Sequence, residues 1–207
     1  MLKRAFDLAV SAAALLLLAP LLLLLALLIR LDSPGPVFYR GERVGRGGRT
    51  FRIFKFRTMV ADAERLGGPS TADDDPRITR VGRWLRKRKL DELPQLLNVL
   101  RGEMSIVGPR PEVPQYAALM TPEERALILS VRPGMTDWAS LWDIDEGALL
   151  AGSPDPERVY LEQIRPVKIR LQLDYVRRRS LLVDLRIIGQ TLAAVVGRRK
   201  GRSWATT

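Results

Sequence analysis

The chain has 207 residues and a formal net charge of +11, from 34 Lys and Arg against 23 Asp and Glu, and contains no His and no Cys. This excludes His-based triads, Cys nucleophiles, disulfides and the usual zinc ligand sets, and leaves catalysis to carboxylates, Lys, Arg, hydroxyls or a hard metal held by oxygen. The length suits one domain, and the basic balance asks for an anionic partner: nucleic acid, anionic lipid headgroups or phosphorylated substrates.

From Leu8 to Ile29 the sequence is almost unbroken Leu and Ala, interrupted by Ser11 and Pro20. As one helix this run would reach roughly 33 Å, enough to cross a bilayer. Pro20 removes a rung of the hydrogen-bond ladder at the midpoint, and Lys3, Arg4 and Arg30 place cations at both ends, so both flanks read as cytoplasmic. A spanning helix and a re-entrant one stand level on these residues. In the re-entrant form the carbonyls freed at Pro20 would need polar partners such as the Ser11 hydroxyl. The run is too long for a cleaved signal peptide. A membrane tether also argues against nucleic acid as a partner, although Phe51, Phe54 and Phe56 interleave with basic residues.

Ser33-Pro34-Gly35-Pro36 is a rigid turn that opens the soluble part. Val37–Arg40 and Thr50–Arg57 are predicted as two strands of a β-hairpin, joined at Gly45-Arg46-Gly47-Gly48. Alternation puts Phe54 and Phe56 on one face and Lys55 with Arg57 on the other, where two cations could hold an anion. The loop from Gly67 to Asp75 ends in three Asp residues. They could be metal ligands, but capping and solvation explain them more simply. Asp75 is the expected N-cap and Pro76 the first residue of a helix reaching Lys89. That helix has an apolar stripe of Ile78, Val81, Trp84 and Leu85 amid Arg and Lys, the composition of an interfacial helix.

Leu93, Leu96, Leu97 and Leu100 then mark one face of a second helix that stops at Gly102. Asp91 and Glu92 fall at its N-terminus, with Pro94 in the first turn, where free N–H groups favour anions and keep carboxylates ionised. Arg86 and its basic neighbours are delivered next to this pair, and a Pro109-Arg110-Pro111 turn follows the helix. Further helices are expected from Glu123 to Val131, from Glu157 to Arg179 with an interruption at Pro166, and from Leu181 to Val196. The last, with Asp184, Arg186 and Gln190, is too polar to span and suited to the bilayer surface. The tail Arg198-Arg199-Lys200-Gly201-Arg202 should add attraction to anionic lipid.

Several segments together resemble the monotopic polyprenyl-phosphate phosphoglycosyl transferases, a bacterial sugar transferase family. They are Lys3-Arg4-Ala5-Phe6-Asp7, Lys55-Phe56-Arg57-Thr58-Met59, Asp75-Pro76-Arg77-Ile78-Thr79-Arg80-Val81-Gly82, Leu90-Asp91-Glu92-Leu93-Pro94-Gln95-Leu96, Met104-Ser105-Ile106-Val107-Gly108-Pro109-Arg110-Pro111-Glu112 and Arg132-Pro133-Gly134. The resemblance covers nearly the whole chain. It implies an α+β, mostly helical fold: a re-entrant helix-break-helix over residues 1–32, then a cytoplasmic-face catalytic domain over 33–207 with a small β-hairpin and amphipathic interfacial helices. The chain looks like the minimal catalytic unit, without the extra spanning helices of longer members.

The activity implied is transfer of a sugar 1-phosphate from a nucleotide diphosphate sugar, with UDP the expected nucleotide, to undecaprenyl phosphate at the bacterial inner membrane. Such a step begins polysaccharide or glycoconjugate synthesis. By the resemblance Asp91 is the nucleophile and Glu92 the Mg²⁺ ligand. Lys55, Arg57, Arg86 and Arg110 are phosphate contacts, and Pro109 and Pro111 complete the substrate-binding turn. A carboxylate nucleophile splits one displacement into two, and a metal with nearby Arg offsets the repulsion between anions. Anionic lipid is an expected partner, nucleic acid is not, and a homodimer stays open.

One segment departs from the family pattern. Where many members continue with Thr-Gly-Trp-Ala-Gln, this chain reads Met135-Thr136-Asp137-Trp138-Ala139-Ser140-Leu141-Trp142-Asp143, and only Thr136, Trp138 and Ala139 fit. The rival reading is a non-catalytic, basic, membrane-anchored scaffold, which would not require the Asp91–Glu92 pair.

Overall fold

The computed structural model describes residues 1–68 and 70–197, so the basic tail expected to meet lipid lies outside the described residues. It is mostly helical, with strands only in short ribbons. The first helix, α1 (Leu2–Asp32), runs its full 31 residues with Pro20 inside it rather than between two helices. Leu and Ala are strong helix formers, and the arms on either side are long enough to carry the lost rung, which costs about 3 kcal/mol. The Ser11 hydroxyl, expected to serve the freed carbonyls, is buried with no hydrogen-bond partner. Among the described helices α1 is the one long and apolar enough to cross a membrane.

The start of α1 is tied down by its polar residues. Arg4 donates from Nη1 to the Val99 carbonyl at 2.7 Å and from Nη2 to Leu100 at 3.2 Å. Buried Asp7 accepts from Ser105 Oγ at 2.8 Å and from the Ile106 N–H at 3.3 Å. Lys3 pairs with Asp184, which also accepts from the Tyr175 hydroxyl at 2.8 Å. At its other end Leu25 and Ile29 pack with Phe56 and Leu85, and Asp32 accepts from the Val81 N–H at 3.0 Å.

The predicted hairpin forms as two successive ribbons. β1 (Phe38–Tyr39) pairs antiparallel with β4 (Lys55–Phe56), and β2 (Glu42–Val44) with β3 (Thr50–Arg52) across a 3₁₀ turn at Arg46–Gly48. The ladder is interrupted because the Phe54 N–H is taken by Asn98 Oδ1 at 2.7 Å. A short helix, α2 (Ala63–Leu66), follows, then α3 (Arg80–Lys87). Its cap is Thr79, accepting from the Gly82 N–H at 3.0 Å, and not Asp75 as expected. Asp75 is instead engaged by the N–H and guanidinium of Arg77, so an ion pair two residues apart holds the chain short of helix.

A 3₁₀ turn (Leu90–Gln95) leads into α4 (Leu96–Arg101), which stops at Gly102 with φ 82°, the left-handed cap a glycine accepts without strain. β5 (Ser105–Val107) pairs in parallel with β6 (Gly134–Thr136), a ribbon the sequence reading had not anticipated. Between them lie α5 (Pro114–Ala117) and α6 (Pro122–Ile128). Next come α7 (Trp138–Trp142), α8 (Glu146–Leu150) and α9 (Pro156–Val159). α9 passes through a π-helical turn (Tyr160–Ile164) into α10 (Arg165–Arg178). Pro166 therefore does not interrupt this helix as expected; its missing N–H directly follows the wider π turn, which shifts the ladder. α11 (Leu181–Gly197) buries Asp184 and Ile187 and exposes Leu182, Leu185, Leu192 and Val196.

Candidate active site

Arg88 and Lys89 reverse the chain after α3, with Lys89 at φ 55°, a left-handed conformation costing a non-glycine residue about 1–2 kcal/mol. The reversal starts the 3₁₀ turn with Asp91 and Glu92 in its first turn. Asp91 is 2 % exposed. Its Oδ2 lies 2.8 Å from Lys55 Nζ, and its Oδ1 is buried with no hydrogen-bond partner. Lys55 is placed by β4, whose register sets it opposite Tyr39. The same ammonium reaches Glu92 Oε1 at 3.3 Å.

Arg110 closes the cluster as a fork on Glu92, with Nη1 donating to Oε2 at 3.0 Å and Nη2 to Oε1. Burial alone would raise the Glu92 acid, but Arg110 and Lys55 overcome it and hold the carboxyl well below its usual range. Glu92 in turn raises the Arg110 guanidinium. Lys55, Asp91, Glu92 and Arg110 therefore form one charged assembly from three separate segments of the chain.

The parallel ribbon positions Arg110. The Gly134 N–H donates to the Pro109 carbonyl at 2.9 Å, and the Gly108 N–H to Thr136 at 3.0 Å. A Cβ on Gly134 would come within 2.0 Å of the Gly108 nitrogen, so the close approach demands glycine. This brings Arg132-Pro133-Gly134 beside Gly108-Pro109-Arg110-Pro111. Pro109 and Pro111 line a cavity of only about 10 Å³, so they shape the loop carrying Arg110 and do not themselves offer a substrate-sized pocket.

The hydrogen bonds of the other two expected phosphate contacts go to backbone carbonyls outside this cluster. Arg57 is buried, with Nη2 donating to the Ser33 carbonyl at 2.8 Å and Nη1 to Pro34, so it clamps the turn after α1. Arg86 is half-buried, with Nη2 3.5 Å from the Thr71 carbonyl and Asp75 nearby. Sequence reasoning singled out the segment ending at Asp143 but missed that Asp143 joins half-buried Glu146 and buried Lys168 and Gln172 in a second polar set. They come from the C-cap of α7, from α8 and from α10 in no local pattern, and only contact in space groups them.

No three His, Cys, Asp or Glu side chains among the described residues gather into a metal cage. Mg²⁺ needs less: one or two carboxylates with water and substrate phosphates. The Glu92 carboxylate, held ionised in this cluster, is a hard-oxygen donor of that kind and leaves Asp91 Oδ1 unengaged, so the residues fit such an ion.

The family model described as "Bacterial sugar transferase" matches residues 1–198. The "Undecaprenyl-phosphate glucose phosphotransferase" of Komagataeibacter xylinus is 45 % identical over 92 % of this chain and 35 % of its own length. The "UDP-N-acetylgalactosamine-undecaprenyl-phosphate N-acetylgalactosaminephosphotransferase" of Aeromonas hydrophila is 38 % identical over 94 % of the chain and 44 % of its own length. The chain thus spans less than half of these two relatives. It spans 98 % of the "Exopolysaccharide production protein PSS" of Rhizobium leguminosarum bv. phaseoli, at 43 % identity over 97 % of this chain.

Proposed function

The chain belongs to the bacterial sugar transferase family, and from that premise we propose that it moves a sugar 1-phosphate from a nucleotide diphosphate sugar to undecaprenyl phosphate, with release of the nucleoside monophosphate. The observation that carries this reading is the buried Asp91 with one unpartnered oxygen, set against Lys55, Glu92 and Arg110. A scaffold has no use for such an assembly. UDP as the nucleotide follows from the donor for which the Aeromonas relative is named.

Asp91 Oδ1 attacks the phosphorus that bears the sugar, and the bond from that phosphorus to the bridging oxygen breaks, giving an aspartyl phosphosugar and nucleoside monophosphate. An oxygen of the lipid phosphate then attacks the same phosphorus and Asp91 leaves as a carboxylate. Lys55 offsets the charge of Asp91 toward an incoming anion, and Arg110 has the planar fork that grips phosphate oxygens. Glu92 would hold Mg²⁺, which when bound supplies positive charge to the diphosphate. Arg110 and Lys55 already occupy the Glu92 oxygens, so donor binding involves an exchange of partners in which Arg110 turns from carboxylate to phosphate. A general base is not required, because a phosphate acceptor is mostly ionised at neutral pH.

The topology we infer is re-entrant, with the catalytic part on the cytoplasmic side of the inner membrane. A helix crossing a hydrocarbon core of roughly 30 Å leaves its ends on opposite sides. Here Lys3, Arg4 and Asp7 at one end of α1 and Ile29 and Asp32 at the other all contact the same domain, while Leu16, Leu17 and Leu23 between them are exposed. Cations at both ends favour the cytoplasmic face. Exposed Trp84 on α3 and the exposed leucines of α11 suit contact with the same lipid surface.

Incubation with labelled donor and no lipid tests the mechanism. It should release close to one monophosphate per protein and add the mass of one sugar phosphate to the peptide containing Asp91, and Asp91→Asn should lose both. Kinetics requiring both substrates to be bound together, with no adduct, would overturn the nucleophile assignment.

A further inference from the structure

A second polar cluster adjoins the first through Arg110. Lys168 on α10 is 5 % exposed; its Nζ lies 2.7 Å from Glu146 Oε2, 3.3 Å from Asp143 Oδ2 and 5.0 Å from the centre of the Tyr160 ring. One turn along α10, Gln172 donates from Nε2 to the Arg110 carbonyl at 3.5 Å. Asp137, fully buried at the head of α7, accepts through Oδ1 from the Ser140 N–H at 2.7 Å and hydroxyl at 2.8 Å, within electrostatic reach of Lys168 and Arg110. Glu146, whose side chain is 32 % exposed, and Arg110, at 31 %, carry this cluster to the surface.

Three oxygens of the cluster, Asp137 Oδ2, Asp143 Oδ1 and Gln172 Oε1, are buried with no hydrogen-bond partner among the described residues. An unmet buried polar atom costs about 1–3 kcal/mol, so grouping three beside a buried Lys is a stability cost with no packing benefit. The chemistry selects the ligand. Burial first, then the neighbouring Glu146, push the Asp143 acid up to about 8, which favours a neutral Asp143 donating to the Glu146 carboxylate. Lys168 also donates, while Asp137 and Gln172 offer acceptors. A phosphate would meet the Glu146 and Asp137 carboxylates, and a lipid tail would leave every polar atom unmet. Hydroxyl groups, each one donor and two acceptors, match the set.

We propose that Asp137, Asp143, Glu146, Lys168 and Gln172 form the subsite for the sugar ring of the donor, hydrogen-bonding the hydroxyls of a neutral hexose while Arg110 holds the diphosphate. The proposal rests on the reading of Arg110 as a diphosphate ligand.

Calorimetry with the full chain in detergent, using UDP and the UDP-hexoses of glucose, galactose, N-acetylglucosamine and N-acetylgalactosamine, tests it. Glu146→Gln, at the rim of the cluster, should leave UDP affinity within about twofold and weaken the preferred UDP-hexose at least about tenfold, as expected for a site built to bond hydroxyls. Loss of both affinities together, or of neither, overturns the subsite. Should that variant fail to fold, monodeoxy analogues of the preferred donor against the unaltered protein give the same answer. At least one missing hydroxyl should cost about tenfold, and a series with no loss refutes the proposal. If the unaltered protein binds UDP but gains nothing from any hexose, the subsite fails while the nucleotide site stands. Binding of neither UDP nor any UDP-hexose overturns the proposed function as well.

Discussion

Glu92 is held ionised by its neighbours against the effect of its own burial, and this has a pH signature. A carboxyl whose folded value is depressed adds stability that is fully present above its unfolded value of about 4.3 and is lost as pH falls through the folded value. Glu92→Gln should therefore lower Tm at neutral pH, by an amount corresponding to about 1–3 kcal/mol, and the gap to the unaltered protein should close below about pH 4. A gap constant with pH would show that the loss is one of packing. The same variant should abolish turnover. Arg57 gives the contrasting case. With its guanidinium committed to the Ser33 and Pro34 carbonyls, Arg57→Ala should cost about 1–3 kcal/mol of stability and leave the donor KM unchanged. A raised donor KM in a fully folded variant would return Arg57 to the phosphate site.

Among the elements, the β5–β6 ribbon does the most for its size. Three residues on each strand, in a parallel pairing that no local pattern announces, hold the Arg110 loop against the Arg132-Pro133-Gly134 turn. Gly134→Ala places a methyl group on the Gly108 backbone, which cannot yield as a flexible side chain would. It should lower stability by more than about 3 kcal/mol, read as a fall in Tm, and lower kcat through misplaced Arg110. An unchanged Tm would mean that the ribbon is not needed. The 3₁₀ turn that carries Asp91 and Glu92 likewise depends on a contact between elements, since Lys55 reaches it from β4.

At the scale of the whole molecule, α1 is fastened at both ends to one domain, and the absence of Cys makes its topology directly testable. Single cysteines at Leu2 and Ser33 should be labelled from the same side of an intact membrane. Labelling from opposite sides would refute the re-entrant form. Because Asp7 is buried against Ser105 and Ile106, Asp7→Leu should loosen the N-terminal attachment and expose Leu2 to labelling more rapidly without moving it to the other side.

The sequence by itself determined what depends on neighbours along the chain. The apolar run of α1, the stop at Gly102, the pairing of Asp91 with Glu92 at a helical start, and the exclusion of His and Cys chemistry all follow from local backbone preference, periodicity or composition. It misplaced the cap of α3 and the interruption at Pro166, where a side-chain pair and a π turn outweighed local propensity. Tertiary structure alone decided which cations meet the carboxylates. Lys55 and Arg57 are two residues apart, yet one turns to Asp91 and the other to the turn after α1. It also gathered Asp137, Asp143, Glu146, Lys168 and Gln172 beside Arg110. The physical reason is that charge acts through space over a few ångströms, whereas helix and turn preferences act over a few residues. A site assembled from distant segments therefore becomes visible only when the chain has folded.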